Sequence, residues 1–325
     1  MRIDYFILKG FQKIYKRIFI ATRAVLIKYD NDPNIVSQRL INLIESDKPI
    51  MVARYGATEL MCIINYLGVK NGKPNLISYI RNNKFDWWWD KKKLNQIEQW
   101  SGFFPSTIEN VERFCQLMIN DSSLVDALAS WLDNEKYMGE YLENSYRFQG
   151  LFLDPFWSST PWTAALKGKK VLVIHPFESA IRSQYNKREF LFSNPDILPE
   201  FELHTIKAVQ SLGGECQYSS WFEALDAMKF EIDKIDFDIC ILGCGAYGFP
   251  LAAYIKRKGK KAIHMGGSLQ LLFGIKGKRW ENPMYGAQEL GVEGKYPALM
   301  NEFWIYPGEE GKPKNASKVE GACYW

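Results

Sequence analysis

Four segments of this 325-residue chain combine glycine, charge and imidazole at spacings suited to a phosphorylated ligand. The first, Gly243-Cys244-Gly245-Ala246-Tyr247-Gly248, has the GxGxxG spacing. Glycines so placed permit a tight turn and close backbone approach, and the N–H groups opening a following helix suit a phosphate. A dinucleotide site would also carry an acidic residue about 20 positions on, to hold a ribose. Ile263 and His264 stand there instead, which favours a nucleotide diphosphate over a nicotinamide. Gly266-Gly267-Ser268 repeats the pattern after the next apolar run. In Arg54-Tyr55-Gly56-Ala57-Thr58-Glu59 the Arg can grip a diphosphate, and Glu59 can serve as a base or a metal ligand. A first-turn Glu equally complements a helix dipole without any catalytic role. His175-Pro176-Phe177-Glu178 supplies an imidazole and a carboxylate for proton transfer, with a buried core histidine as the alternative reading.

All four segments must be held by the ends of strands. Apolar runs at 49–54, 170–174, 238–242 and 261–265 each precede one of them, and each is followed by a helical pattern. A further strand is expected over 202–208, and Ser220-Trp221-Phe222-Glu223 has capping-box form before a helix. Strands alternating with helices predict an α/β protein with a parallel sheet covered on both faces. Ligands of such sheets gather at the carboxyl ends of the strands, where these segments fall. Asp236-Phe237-Asp238 is a DxD pair of the type that holds a metal-bridged nucleotide, but it precedes its strand and so belongs to the opposite edge. Asp30-Asn31-Asp32-Pro33 reads as a linker, followed by a helix over 34–46. Residues 76–150 read as a mainly helical insertion, with amphipathic runs over 107–119 and 122–132. Trp87-Trp88-Trp89 within it reads as a wedge between helices. The tail 283–325, ending in Tyr324-Trp325, has an aromatic finish that favours docking.

Composition excludes several classes. With 47% hydrophobic and 24% charged residues the chain is neither disordered nor fibrous. No apolar run reaches the ~18 residues that span a bilayer. The six cysteines form no CxxC pair and read as reduced core thiols of a cytoplasmic protein. Charge is unevenly spread: residues 1–28 hold seven basic residues against Asp4 alone, a net +6, which leaves the rest of the chain at −2 within a total of +4. The body therefore lacks the basic excess of a nucleic-acid binder. Ile7, Phe11, Ile14, Ile18, Ala21 and Val25 recur at helical spacing, so residues 1–30 form a basic amphipathic helix. Such a helix suits the anionic inner face of a membrane, or it packs on the body with solvated lysines.

Taken together, Arg54-Tyr55-Gly56-x-x-Glu59, Lys170-Val171-Leu172-Val173-Ile174-His175-Pro176-Phe177, Gly243–Gly248 and Lys261-Ala262-Ile263-His264-Met265-Gly266-Gly267 resemble bacterial GT-D-type glycosyltransferases. The resemblance spans roughly 48–68 and 168–280. It implies a single catalytic domain over 31–325, with a Rossmann-like part at about 168–280, that transfers sugar from a nucleotide-sugar donor to a glycan or lipid-linked acceptor in surface-polysaccharide synthesis. Glu59 matches the second carboxylate of the family pattern, and with His175 and Glu178, read from their place after a strand, it makes up the expected catalytic set. Donor contacts would come from Arg54, Gly56, Gly243, Gly245, Tyr247, Gly248, Gly266, Gly267 and Ser268. The family's Arg-aromatic-Gly-Asp-x-Glu pattern departs here at Ala57, which replaces the Asp. A Mn2+ or Mg2+ ion at Glu59 would therefore depend on substrate phosphates for its other ligands. Two other readings stand beside this one: a non-catalytic nucleotide- or glycan-binding component of a membrane-surface assembly, and a nucleotide-dependent oxidoreductase or methyltransferase.

Overall fold

Seven short strands, all parallel, form one sheet: β1 (Met51–Ala53), β2 (Ala127–Ser130), β3 (Tyr146–Gln149), β4 (Lys170–His175), β5 (Glu202–Lys207), β6 (Ile239–Leu242) and β7 (Lys261–His264). Their spatial order is β3-β2-β1-β7-β6-β4-β5. The computed structural model describes residues 3–19, 29–81, 85–211, 216–308 and 324–325. Among these the helices, in chain order, are α1 (Ile3–Phe19), α2 (Pro33–Glu45), α3 (Ala57–Asn71), α4 (Leu76–Arg81), α5 (Lys91–Ser101), α6 (Ile108–Ser122), α7 (Glu178–Tyr185), α8 (Arg188–Leu191), α9 (Trp221–Asp233), α10 (Gly248–Arg257) and α11 (Leu269–Leu272), followed by two further one-turn helices.

The strands are apolar on both faces because both faces are covered, as an all-parallel sheet requires. Side chains alternate between two cores. Met51, Ala53, Leu172, Ile174, Cys240 and Leu242 pack under α3, α6, α9 and α10. Val52, Val171, Val173, Ile239, Ile241 and Ile263 pack under α2, α7 and α11. Strand β4 leads through α7 on the second face toward β5, whereas β6 leads through α10 on the first face toward β7. Connections that diverge in this way open a crevice between the carboxyl ends of the two strands. Local signals set the helix starts. The Asp32 side chain accepts the N–H groups of Asn34 and Ile35, with Pro33 in the first turn. Thr107 caps α6 and Ser220 caps α9.

The expected insertion over 76–150 differs from the observed chain. It is helical as far as Ser122, but then supplies β2 and β3, two of the seven sheet strands. The expected helix over 122–132 is thus a turn and a strand. Ala127-Leu128-Ala129-Ser130 is buried on both faces, and such a run carries no period by which to tell strand from helix. The linker residue Asp30 extends the edge of the sheet through a bridge to Phe148 and accepts the Tyr146 hydroxyl at 2.8 Å. The Trp cluster is a wedge. Trp88 is buried and stacks on Tyr5 of α1 at 4.1 Å, Trp87 meets Tyr79 of α4 edge-on, and Trp89 donates to Glu112. At the tail, Tyr324 and Trp325 dock on the body, Trp325 edge-on to Phe177. The five described cysteines are free thiols, four of them buried; Cys323 lies outside the described residues. No described helix is long and apolar enough to cross a membrane.

Candidate active site

The carboxyl ends of β1, β2, β3, β4, β6 and β7 open onto a single cavity of about 990 Å³. Arg54, Gly56, Glu59, His175, Gly243, Gly245, Tyr247, Gly266, Gly267 and Ser268 all line it. Two expected members do not. Gly248 packs against the imidazole of His264, where any side chain would overlap the ring, so this glycine lets α10 sit close to β7. Glu178 accepts from the Arg182 guanidinium and the Thr205 hydroxyl away from the cavity wall. Burial raises its carboxyl, and these contacts outweigh burial and hold it below the usual range at the start of α7.

The glycine turns have distinct physical jobs. At Gly243 a methyl group would meet the His175 ring at 2.6 Å, the Gly266 carbonyl at 2.8 Å and Leu269 at 2.9 Å, so this position joins β4, β6 and β7 where they meet. Gly245 has φ +56°, a left-handed conformation that side chains disfavour, and only the Ser101 carbonyl lies near its open side. Its backbone therefore faces the cavity bare, at the start of the 3-10 turn leading into α10. Gly266, at φ +70°, gives room to the Arg54 side chain, and Gly267 lies flat beneath the Tyr324 ring.

Arg54 is the cation at the centre of this wall. Its guanidinium lies 4.9 Å from the Trp131 ring, and the Trp131 indole N–H donates to the Tyr55 carbonyl at 2.9 Å. Trp131 follows directly on β2 and remains 46% exposed, leaving an aromatic face on the cavity. Buried Glu135 fixes the turn that carries it by accepting the N–H groups of Trp131 and Leu132 at 3.2 Å each. A second guanidinium, Arg279, lies 4.8 Å from the Tyr324 ring on the same cavity. The wall thus offers two cations, bare backbone at Gly245 and a planar aromatic surface.

Three kinds of titratable group face this space. Glu59 stands in the first turn of α3, only 8% exposed, and its carboxylate folds back over Gly56, where no Cβ intervenes. His175 and His264 are buried, and burial lowers both to about 3, with the Arg54 charge adding to the effect at His264. Both are therefore neutral at physiological pH. His175 Nδ1 accepts the Phe177 N–H at 3.0 Å, so its ring proton resides on Nε2. In that tautomer Nε2 is a hydrogen-bond donor, and Nδ1 is already engaged by the Phe177 N–H. Asp154 is a carboxyl that sequence reading missed. Burial raises it, while Ser268, Tyr296 and Arg54 draw it back toward ionisation, and it accepts the Tyr296 hydroxyl at 2.6 Å.

Among the described residues, no three His, Cys, Asp or Glu side chains gather into a metal-holding group. The Glu59 carboxylate is folded onto Gly56, and the Asp154 carboxylate accepts the Tyr296 hydroxyl. Trp131 and Asp154 escaped sequence reading for different reasons. Trp131 would have followed from recognising β2, since residues just past a parallel strand face the ligand edge. Asp154 lies between two short 3-10 turns and has no local signature. No family model, curated protein or solved structure matches the chain.

Proposed function

We propose that the protein is a glycosyltransferase of Rossmann-like α/β build that binds a nucleotide-sugar donor at the carboxyl edge of its sheet. It would pass the sugar to a glycan or lipid-linked acceptor. The observation that carries this reading is the meeting of Arg54, the bare Gly245 backbone and the exposed Trp131 ring on one cavity. A diphosphate needs cations and unpaired N–H donors, and a sugar or base ring needs a flat apolar face. In this scheme Arg54 and Arg279 offset the phosphate charge, and the backbone at Gly245 supplies a donor, the Tyr247 N–H being engaged by the Cys244 carbonyl. His175 donates from Nε2. Glu59 is the group assigned to deprotonate the acceptor, with Asp154 as a second carboxyl kept closer to its protonated form.

A thermal-shift panel tests the class. UDP- or GDP-sugars should raise the melting temperature, whereas NAD(P) and S-adenosylmethionine should not. A donor-hydrolysis screen with the same sugars then tests for catalysis. The folding of Glu59 onto Gly56 favours one rival, a nucleotide- or glycan-binding component without turnover. That rival predicts stabilisation by a nucleotide sugar with no hydrolysis or transfer from any donor.

A further inference from the structure

Helix α1 is docked the opposite way round from an ordinary amphipathic helix. The face turned toward the body is the polar and aromatic one. Tyr5 stacks on Trp88 at 4.1 Å, Lys9 pairs with Asp90 at 2.7 Å and Asp86 at 3.0 Å, and Gln12 donates to the Tyr79 carbonyl at 3.0 Å. Tyr5, Lys9 and Gln12 are spaced four and three apart and so form one stripe. The apolar stripe Ile7, Phe11, Ile14 and Ile18 lies on the other side, between 49% and 63% exposed, with Phe6 and Phe19 exposed as well. Water is a poor neighbour for six large apolar side chains on one short helix. Exposed Lys13 and Arg17, four residues apart, run as a cationic row along one flank, with Arg17 one turn from Ile14.

We infer that this outward face of α1 is a docking surface for an anionic lipid bilayer, with the apolar stripe entering the acyl boundary and Lys13 and Arg17 meeting the lipid phosphates. The aromatic and ionic contacts of Tyr5 and Lys9 would hold the body against the helix, so that the protein lies on the bilayer rather than hanging from a tether. Charge selects a lipid over a protein partner. Residues 1–28 carry a net +6; Lys9 is already engaged by Asp86 and Asp90 of the body, and the outward Lys13 and Arg17 complement an anionic sheet. Ala21 and Val25, which continue the stripe in sequence, lie outside the described residues. The inference stands apart from the glycosyltransferase reading, since it uses none of the cavity residues.

The test is co-sedimentation of the full chain with phosphatidylglycerol/phosphatidylcholine vesicles and with pure phosphatidylcholine vesicles, at low and high salt. The expected result is binding to the anionic vesicles that weakens with salt, as surface charge attraction must. The double variant Phe11→Asp/Ile14→Asp should lose at least about tenfold in partitioning, because two apolar side chains no longer enter the boundary. Lys13→Glu/Arg17→Glu should remove the preference for anionic lipid. Both variants alter exposed side chains only, so circular dichroism and nucleotide-induced thermal shifts should match the wild type. Absence of binding at low salt overturns the inference, as does binding that survives Phe11→Asp/Ile14→Asp. A lipid-free dimer dissociated by that variant also overturns it, and assigns the face to a second copy of the chain.

Discussion

The two edges of the sheet treat charge in opposite ways. At the amino edge, before β4, β6 and β7, charged groups satisfy one another. Asp236 pairs with Lys170 at 2.7 Å and Lys260 at 3.5 Å, Asp238 accepts the Lys170 N–H, and Lys261 donates to the Ile44 and Ser46 carbonyls. On the cavity wall at the carboxyl edge two cations lie on aromatic rings, Arg54 on Trp131 and Arg279 on Tyr324, whereas Arg182 outside the cavity pairs with Glu178. The nearby imidazoles are held neutral. A guanidinium on an indole face retains its outward N–H donors, whereas one locked to a carboxylate does not. At the amino edge the charges pair with one another, and on the cavity wall Arg54 stacks on an indole face. The DxD pair Asp236-Phe237-Asp238 falls at the amino edge, as expected, with both carboxylates engaged by Lys170.

The contrast breaks most visibly in turnover. Glu59→Gln should cut turnover by about 10² to 10⁴ with little change in donor affinity, measured by steady-state kinetics and calorimetry. If Asp154→Asn produces the loss instead, the base is the carboxyl beside Ser268 and Tyr296. Next in size is Gly243→Ala. Its added methyl meets the His175 ring, the Gly266 carbonyl and the Leu269 side chain at under 3 Å, so overpacking should cost about 1–3 kcal/mol, read by denaturant unfolding. The buried histidines come third. Between about pH 6.5 and 3 the unfolded chain takes up protons that folded His175 and His264 refuse. Their contribution is therefore complete above pH 6.5 and is lost as pH falls through this window, by up to about 1.4 kcal/mol per pH unit for each. His175→Asn, which keeps an acceptor for the Phe177 N–H, should flatten the pH profile of the melting temperature. The smallest effect belongs to the amino edge. Asp236→Asn should leave donor affinity and turnover at wild-type values, and a loss of either would erase the distinction between the edges.

Much of this arrangement was legible in the sequence. Four strand ends were readable because their apolar runs stop at glycine, proline or charge, and all four converge on the cavity. The α/β class followed from strand–helix alternation alone. What escaped was whatever depended on the unrecognised strands. Ala127–Ser130 is too short and too evenly buried to show a period, and with it went Trp131, the aromatic platform beside Arg54. Glu178 and Gly248 were expected on the cavity and do not line it, because sequence places residues at a strand end without saying which way they face. Thr205 and Arg182 claim the one, and His264 fills the space over the other. The periodicity of α1 likewise located an apolar stripe but not its direction, which follows from the pairing of Lys9 with Asp86 and Asp90.

The central claim is that Arg54 and its surroundings hold a nucleotide-sugar diphosphate. Titration calorimetry of the wild-type chain and Arg54→Ala with UDP- and GDP-sugars measures it directly. The account predicts saturable binding of at least one donor to the wild type, weakened about tenfold to a hundredfold in Arg54→Ala by the loss of charge-assisted hydrogen bonds, with the melting temperature little changed. Equal affinity in the two proteins, or no binding of any nucleotide sugar by the wild type, would contradict it.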